Sequence, residues 1–130
     1  MSETTEPMAA EIAEKYLAVW SEPDAAARRA AVAGLWQRDG VEFVDGGVQF
    51  RGHDGLDDRV REAYEQFVAG GGYGVTSAGD AARHGDIVTF TIELTAPGGE
   101  VAWAARVFLV LGDDGRIRED YQLTVQALAA

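Results

Sequence analysis

Apolar positions along the first third of the chain recur at helical spacing. Met8, Ile12, Tyr16, Val19 and Trp20 share one side of a helix, with Pro7 suited to its first turn. Ser21 and Asp24 are spaced as a capping box, and Val32, Leu35 and Trp36 mark the buried stripe of a second helix ending near Asp39 and Gly40. "VEFVD", residues 41–45, alternates as a short strand, and the turn "DGG" leads into another extended piece, "VQFRG". Asp54 is placed to cap a third helix whose first turn carries Asp57 and Asp58, as the helix dipole prefers. The buried face of that helix is Leu56, Val60, Ala63, Tyr64 and Phe67. "GGGYG" breaks the period. What remains reads as four long strands joined by turns at "RHGD", "APGGE" and "GDDGR". Helices first and a meander afterwards make an α+β plan, three N-terminal helices packed in a curved, mostly antiparallel sheet.

The last strand, "REDYQLTVQ", carries two rows: Asp120, Gln122 and Thr124 on one side, Tyr121, Leu123 and Val125 on the other. If the apolar row faces the core, the polar row is simply wet. If the polar row faces inward, it lines a cavity.

Composition narrows the alternatives. A chain of 130 residues closes one core, read here as a single domain over 8–130 behind a loose tail, 1–7. A formal charge of -11 repels phosphate backbones and anionic lipid, so neither nucleic acid nor a membrane surface is an expected partner. There is no cysteine, which fits a reducing compartment, and no signal peptide or membrane-spanning run; the expectation is a cytoplasmic protein. With no cysteine and no helical histidine pair, neither a catalytic metal nor another cofactor is expected. "AGGGYG" lacks the Lys-Ser/Thr of a phosphate loop, and the three serines sit in no nucleophile-elbow context.

The order of elements, together with "YLAVWSEPDAAARRAAVAGLW", "FRGHDGL" and "LGDDGRI", resembles the SnoaL-like branch of the nuclear-transport-factor-two-like superfamily from about residue 8 to the end. The resemblance implies a cone-shaped barrel with a pocket between sheet and helices, in a homodimer packed through the outer sheet face. It puts Asp120, Gln122 and Thr124 on the concave face with Trp103, Ala105, Val107 and Leu109. Tyr121, Leu123, Val125, Phe108 and Val110 then face outward, where an apolar strip suits a dimer surface. Tyr16 matches the tyrosine that donates to the substrate oxygen in ketosteroid isomerase, and Asp45 matches that enzyme's proton-transferring aspartate. A second donor of that enzyme, a protonated aspartate, is replaced by Val107, which argues against steroid isomerisation. Asp120 falls where SnoaL-type cyclases carry an acid/base aspartate. The catalytic candidates are therefore Asp45, Asp120 and Tyr16. Trp20, Trp36, Phe43, Tyr64, Trp103, Val107 and Gln122 are the candidate substrate wall.

Each candidate has a plainer reading. Tyr16 on an apolar stripe suits a core aromatic, Asp45 before two glycines suits a turn, and Asp120 suits a partner for Arg106 or Arg118. Arg106 faces outward by alternation, and His53 and His84 fall in predicted turns. Two function classes follow. One is an enzyme using acid/base chemistry on a hydrophobic, polyketide- or terpenoid-like small molecule, by cyclisation, isomerisation, dehydration or epoxide opening. The other is a non-catalytic ligand-binding or dimerisation domain with the same fold. Carboxylates held in a dry site separate them, because a binder does not need such groups.

Overall fold

The computed structural model describes residues 5–128, with side chains from Ala9 onward. The tail expected over residues 1–7 lies mostly outside the described residues, as does the side chain of Met8; α1 (Thr5–Ser21) is under way at Thr5. It turns Ala9, Ala13, Tyr16, Val19 and Trp20 inward at helical spacing. Pro23 disfavours helical geometry at Glu22, so α1 stops and the chain restarts. The expected Ser21–Asp24 box does not form. Asp24 itself caps α2 (Ala25–Leu35), accepting from Ala27 N at 2.8 Å, and Ser21 Oγ donates back to Leu17 O within α1.

The second helix ends at Leu35, short of Asp39–Gly40, because Trp36 begins a strand, β1 (Trp36–Val44). Spacing from Val32 to Trp36 suits a helix, yet the indole is equally well buried from the strand, where Trp36 pairs with Ile117. A bulge between Trp36 and Val41 brings Gly40 over the ring. A Cβ there would lie 3.0 Å from Trp36 Cδ1 and 3.1 Å from Ile117 O, so glycine permits the close approach. A 3₁₀ turn (Asp45–Gly47) with two positive-φ glycines joins β1 to β2 (Val48–Arg51). α3 (Gly52–Ala63) starts without a side-chain cap; Asp54, expected in that role, lies in the first turn and pairs with Arg29. A π-helical turn (Tyr64–Ala69) ends the helical region.

The first strand of the expected meander is split into β3 (Gly74–Ser77) and β4 (Ala82–His84), both paired with β5 (Ile87–Thr95). Asp80, between them, accepts from the backbone N and Oγ1 of Thr91, which gives the break its own hydrogen bonds. β6 (Val101–Leu111) and β7 (Ile117–Gln126) complete an open, curved sheet of order β2-β1-β7-β6-β5-β3. All pairs are antiparallel except β1 with β7. The concave face presents Val88, Phe90 and Ile92 of β5 and Ala105, Val107 and Leu109 of β6 to the helices, forming one core. Among the described residues no helix is long and apolar enough to cross a membrane.

The convex face is also partly apolar. Phe43 stacks on Tyr121 at 4.9 Å between centroids, Phe108 pairs with Tyr121 across the ladder, and Leu123 and Val125 are 47% and 66% exposed. We propose that a second copy of the chain covers this strip. Sedimentation velocity at micromolar concentration should give a dimer, tighter at higher salt because each copy carries a charge of -11. Leu123→Glu with Val125→Glu should give a monomer; a wild-type chain sedimenting only as monomer would overturn the assignment.

Candidate active site

Alternation along β7 sends Asp120 and Gln122 to the concave face, and the parallel register of β1 sets Glu42 directly beside Asp120. Tyr16, from the second half of α1, closes over both. Its ring packs against Trp20, Trp36 and Phe90 at centroid distances of 5.9, 5.7 and 5.4 Å, which fixes where the hydroxyl points. Tyr16 Oη donates to Asp120 Oδ2 at 2.7 Å and accepts from Gln122 Nε2 at 2.7 Å; Glu42 Oε2 lies 3.4 Å away. One hydroxyl proton serves one acceptor well, and the short distance identifies it as Asp120.

The fifth member comes from α3. Arg59 follows Leu56 by three positions, so it lies along the helix's buried side. Its guanidinium sits over the rings of Trp20 and Phe50, at 5.1 and 5.3 Å. Arg59 Nε donates to Glu42 Oε1 at 3.0 Å, and Nη2 reaches Gln122 Oε1 at 3.5 Å.

Glu42 and Asp120 are both fully buried. Burial raises the pKa of each, and for Asp120 the charge of Glu42 adds to the rise; for Glu42 the charge and hydrogen bond of Arg59 oppose it. The hydrogen bond between the carboxyls raises Asp120 and lowers Glu42. Arg59 favours the charge on Glu42, while burial and that charge favour the neutral form of Asp120. Among the described residues no donor reaches Asp120 Oδ1, so that oxygen has no hydrogen bond to stabilise a charge on it. Burial, then the charges of Asp120 and Glu42, raise Tyr16 well above its ordinary value, so it stays protonated.

A cavity of about 230 Å³ abuts this network. Trp20, Phe67, Val75, Leu94 and Trp103 contribute apolar wall, while Arg59 and Gln122 supply its polar end. Tyr16, Glu42 and Asp120 stand one layer behind, with Gln122 between Tyr16 and the cavity. Among the described residues no group of three or more metal-ligating side chains is gathered.

The structure brings Tyr16, Asp120, Gln122, Trp20 and Trp36 together, with Trp103 across the cavity and Trp36 fully buried behind Tyr16. It does not bring Asp45 there. β1 ends at Val44, and Asp45 is exposed on the 3₁₀ turn, where its carboxylate accepts from Thr124 N. Thr124 is likewise exposed, since β7 outruns the core after Gln122. Phe43, opposite in parity to Glu42, is on the convex face against Tyr121. Tyr64 lies under the Arg28 guanidinium at 5.2 Å, and Val107 is sealed in the core beside Gln122; neither lines the cavity. Glu42 and Arg59 were not among the sequence candidates. Glu42 alternates with Val41 and Phe43 and so reads as the wet face of a strand, and Arg59 sits in "DDRVRE", which reads as a solvated helix face.

No family model matches the chain, and no curated protein matches it. Solved structures do. A "putative isomerase of the SnoaL-like family" from Agrobacterium tumefaciens is 27% identical, with a TM-score of 0.80 over 88% of this chain and 95% of its own. A "putative SnoaL-like polyketide cyclase" from Jannaschia sp. is 16% identical, with a TM-score of 0.67 over 89% and 86%. A de novo designed protein with a curved β-sheet is 14% identical, with a TM-score of 0.69 over 95% and 88%. The chain has the α+β cone fold of the SnoaL-like branch of the nuclear-transport-factor-two-like superfamily.

The buried carboxyl pair has a consequence for stability. Folded Asp120 keeps a proton that the unfolded chain releases above its ordinary value of 3.8, so stability from this group is greatest below that value and declines as pH rises toward the folded one. Asp120→Asn keeps the shape, still accepts from Tyr16 and offers Glu42 a donor without that penalty. Its melting temperature should match or exceed that of wild type, with a gap that widens from about pH 5 to 8 by up to about 1.4 kcal/mol per pH unit. Calorimetry over that range checks it; a variant less stable by a constant amount at every pH contradicts the protonated pair.

Proposed function

We propose that this chain is an enzyme performing general acid–base chemistry on an apolar small molecule of polyketide or terpenoid type, by proton transfer next to an oxygen function, as in isomerisation or cyclisation. The observation that carries this reading is the fully buried Glu42–Asp120 pair hydrogen-bonded to Tyr16 behind an apolar cavity. Two carboxyls in one dry site cost folding free energy, and hydrophobic side chains of the same volume would serve a binding or dimerisation domain better. The structural neighbours named as isomerase and polyketide cyclase accord with it.

In this mechanism the substrate body fills the wall of Trp20, Phe67, Leu94 and Trp103, and its oxygen meets Arg59 at the polar end. A substrate that displaces the Gln122 amide from Tyr16 reaches the end of a proton chain. The proton leaving the carbon next to the carbonyl goes to Tyr16 Oη, the tyrosine proton to Asp120, and the Asp120 proton to Glu42. Glu42 ends neutral, which releases the Arg59 charge to the new enolate, and net charge at the site is unchanged. Reversal onto a different carbon completes an isomerisation; attack of the enolate carbon on a second carbonyl completes a cyclisation. The order of the network fits this task, because Arg59 is ion-paired only while no oxyanion is present.

2-Acetonaphthone is a probe of suitable size, and its methyl protons report enolisation. In D₂O, wild-type protein should speed deuterium incorporation above buffer alone, followed by NMR. Glu42→Gln, Asp120→Asn and Tyr16→Phe should each lose that acceleration by about two to four orders of magnitude, or to background, because each breaks the same proton chain. Binding without exchange in wild type, or exchange undiminished in both carboxyl variants, identifies a non-catalytic binding domain instead.

A further inference from the structure

Arg59 has more donors than the protein uses. Glu42 takes Nε at 3.0 Å, Gln122 takes Nη2 only at 3.5 Å, and among the described residues Nη1 has no protein partner. The Nη1/Nη2 edge of the guanidinium is therefore available, and Arg59 lines the cavity. The stacking of its plane over Trp20 and Phe50 holds the fork in one orientation, as bidentate recognition of a carboxylate-like group requires. The counter-ion is already in place, however. An anion arriving at Arg59 would share one cation with Glu42 in a site where Asp120 and Tyr16 add only neutral hydrogen bonds.

We propose that Arg59 is the cavity's recognition group for an oxyanion, the carboxylate or enolate oxygen at the end of an apolar body, and that binding such a group draws one proton from solvent onto the Glu42/Asp120 pair. The proposal deepens the acid–base reading and rests on the same cavity. Among the described residues the ionisable groups around Glu42 are Tyr16 from α1, Arg59 from α3 and Asp120 from β7. Of these, Arg59 alone is a cation. Once an anion competes for it, the burial that already disfavours the Glu42 charge is no longer offset, and the group that takes the proton is Glu42. The ligand class is therefore narrow: one compact apolar ring system, one oxyanion and no second charge, since the rest of the wall is apolar apart from Gln122. The same exchange of a proton for an anion is what the enolate of the proposed reaction would require, so a bound carboxylate mimics that intermediate in charge and place.

The probes are 2-naphthoate and its neutral relative 2-acetonaphthone, titrated calorimetrically into the purified chain in HEPES and in Tris, whose ionisation heats differ. 2-Naphthoate should bind with uptake of about one proton, and its affinity should fall as pH rises, approaching tenfold per unit. 2-Acetonaphthone should bind with no proton change. Arg59→Met should weaken 2-naphthoate at least about tenfold more than it weakens 2-acetonaphthone. Glu42→Gln removes the competing anion, so 2-naphthoate should bind about tenfold or more tightly, and without proton uptake. Naphthoate binding that needs no proton in wild type, that is equally strong in Arg59→Met, or that fails where the ketone or neither probe binds, overturns the proposal. If the carboxylate linkage holds but wild type never exchanges the ketone's protons, the acid–base reading alone falls. If exchange occurs without the linkage, this inference alone falls.

Discussion

The Glu42–Asp120 contact is the constraint on which the rest of the site depends. Two carboxyls side by side, both shut away from water, can persist only if one is protonated and the other has a cation, and each condition recruits a different element. β1 and β7 supply the acids through their parallel register. α1 supplies Tyr16, whose single proton satisfies Asp120. α3 supplies Arg59, whose placement depends on two aromatic rings, one from α1 and one from β2. Removing any one of these leaves a buried polar group without its partner, at a cost of about 1–3 kcal/mol or more for a charged one. The network therefore ties α1, α3 and the sheet to one another, and it does so at the inner end of the cavity.

The surrounding scaffold carries the stability that the site spends. The core of Phe90, Leu109, Val107, Val88, Leu56, Val60 and Ile117 is conventional and apolar, and it meets the helices over most of the concave face. Among the described residues, only where β7 approaches β1 does the sheet bury polar side chains, those of Glu42, Asp120 and Gln122. That polar strip coincides with the one parallel pairing in the sheet, where residues of equal parity on distant parts of the chain come side by side. A meander built only of hairpins would bring Asp120 beside neighbours from β6 alone, and Leu109 is the residue it meets there. The crossover to β1 is what gives it an acidic neighbour.

Much of this was legible in the sequence, and the rest failed for identifiable reasons. Alternation in "REDYQLTVQ" separated Asp120 and Gln122 from Tyr121 and Leu123 correctly, because a strand's period survives whatever it packs against. Helical spacing found Tyr16 and Trp20. The same spacing misplaced Trp36, since a residue four beyond Val32 is buried whether the helix continues or a strand begins, and only the pairing with Ile117 decides. Glu42 was hidden by alternation itself. Between Val41 and Phe43 it reads as the wet face of a half-buried strand, yet Phe43 goes outward to stack on Tyr121 and Glu42 faces inward. Asp45, attractive for its position at a strand end, belongs to a turn whose glycines need positive φ and whose carboxylate holds Thr124 N. Arg59 could have been suspected from its three-residue spacing from Leu56, but nothing local shows that a cation faces indole rather than water.

The designed protein among the structural neighbours bears on how far architecture can be pressed. A sequence chosen for a curved sheet reaches a similar fold at a TM-score of 0.69, so the fold by itself assigns the site no function. The buried acids are an added cost, and their geometry is specific in a way that packing alone does not explain. The hydroxyl of Tyr16 has one acceptor at 2.7 Å and one donor at 2.7 Å; Glu42 has one strong cationic donor; and the guanidinium edge left over belongs to a residue that lines the cavity. A network meant only to hold the fold would use those donors inward. In the proposed mechanism the proton chain leads inward from Tyr16 and the unused charge leads to the cavity, which is the separation a site needs if it is to take a proton from a ligand and hold the negative charge that remains.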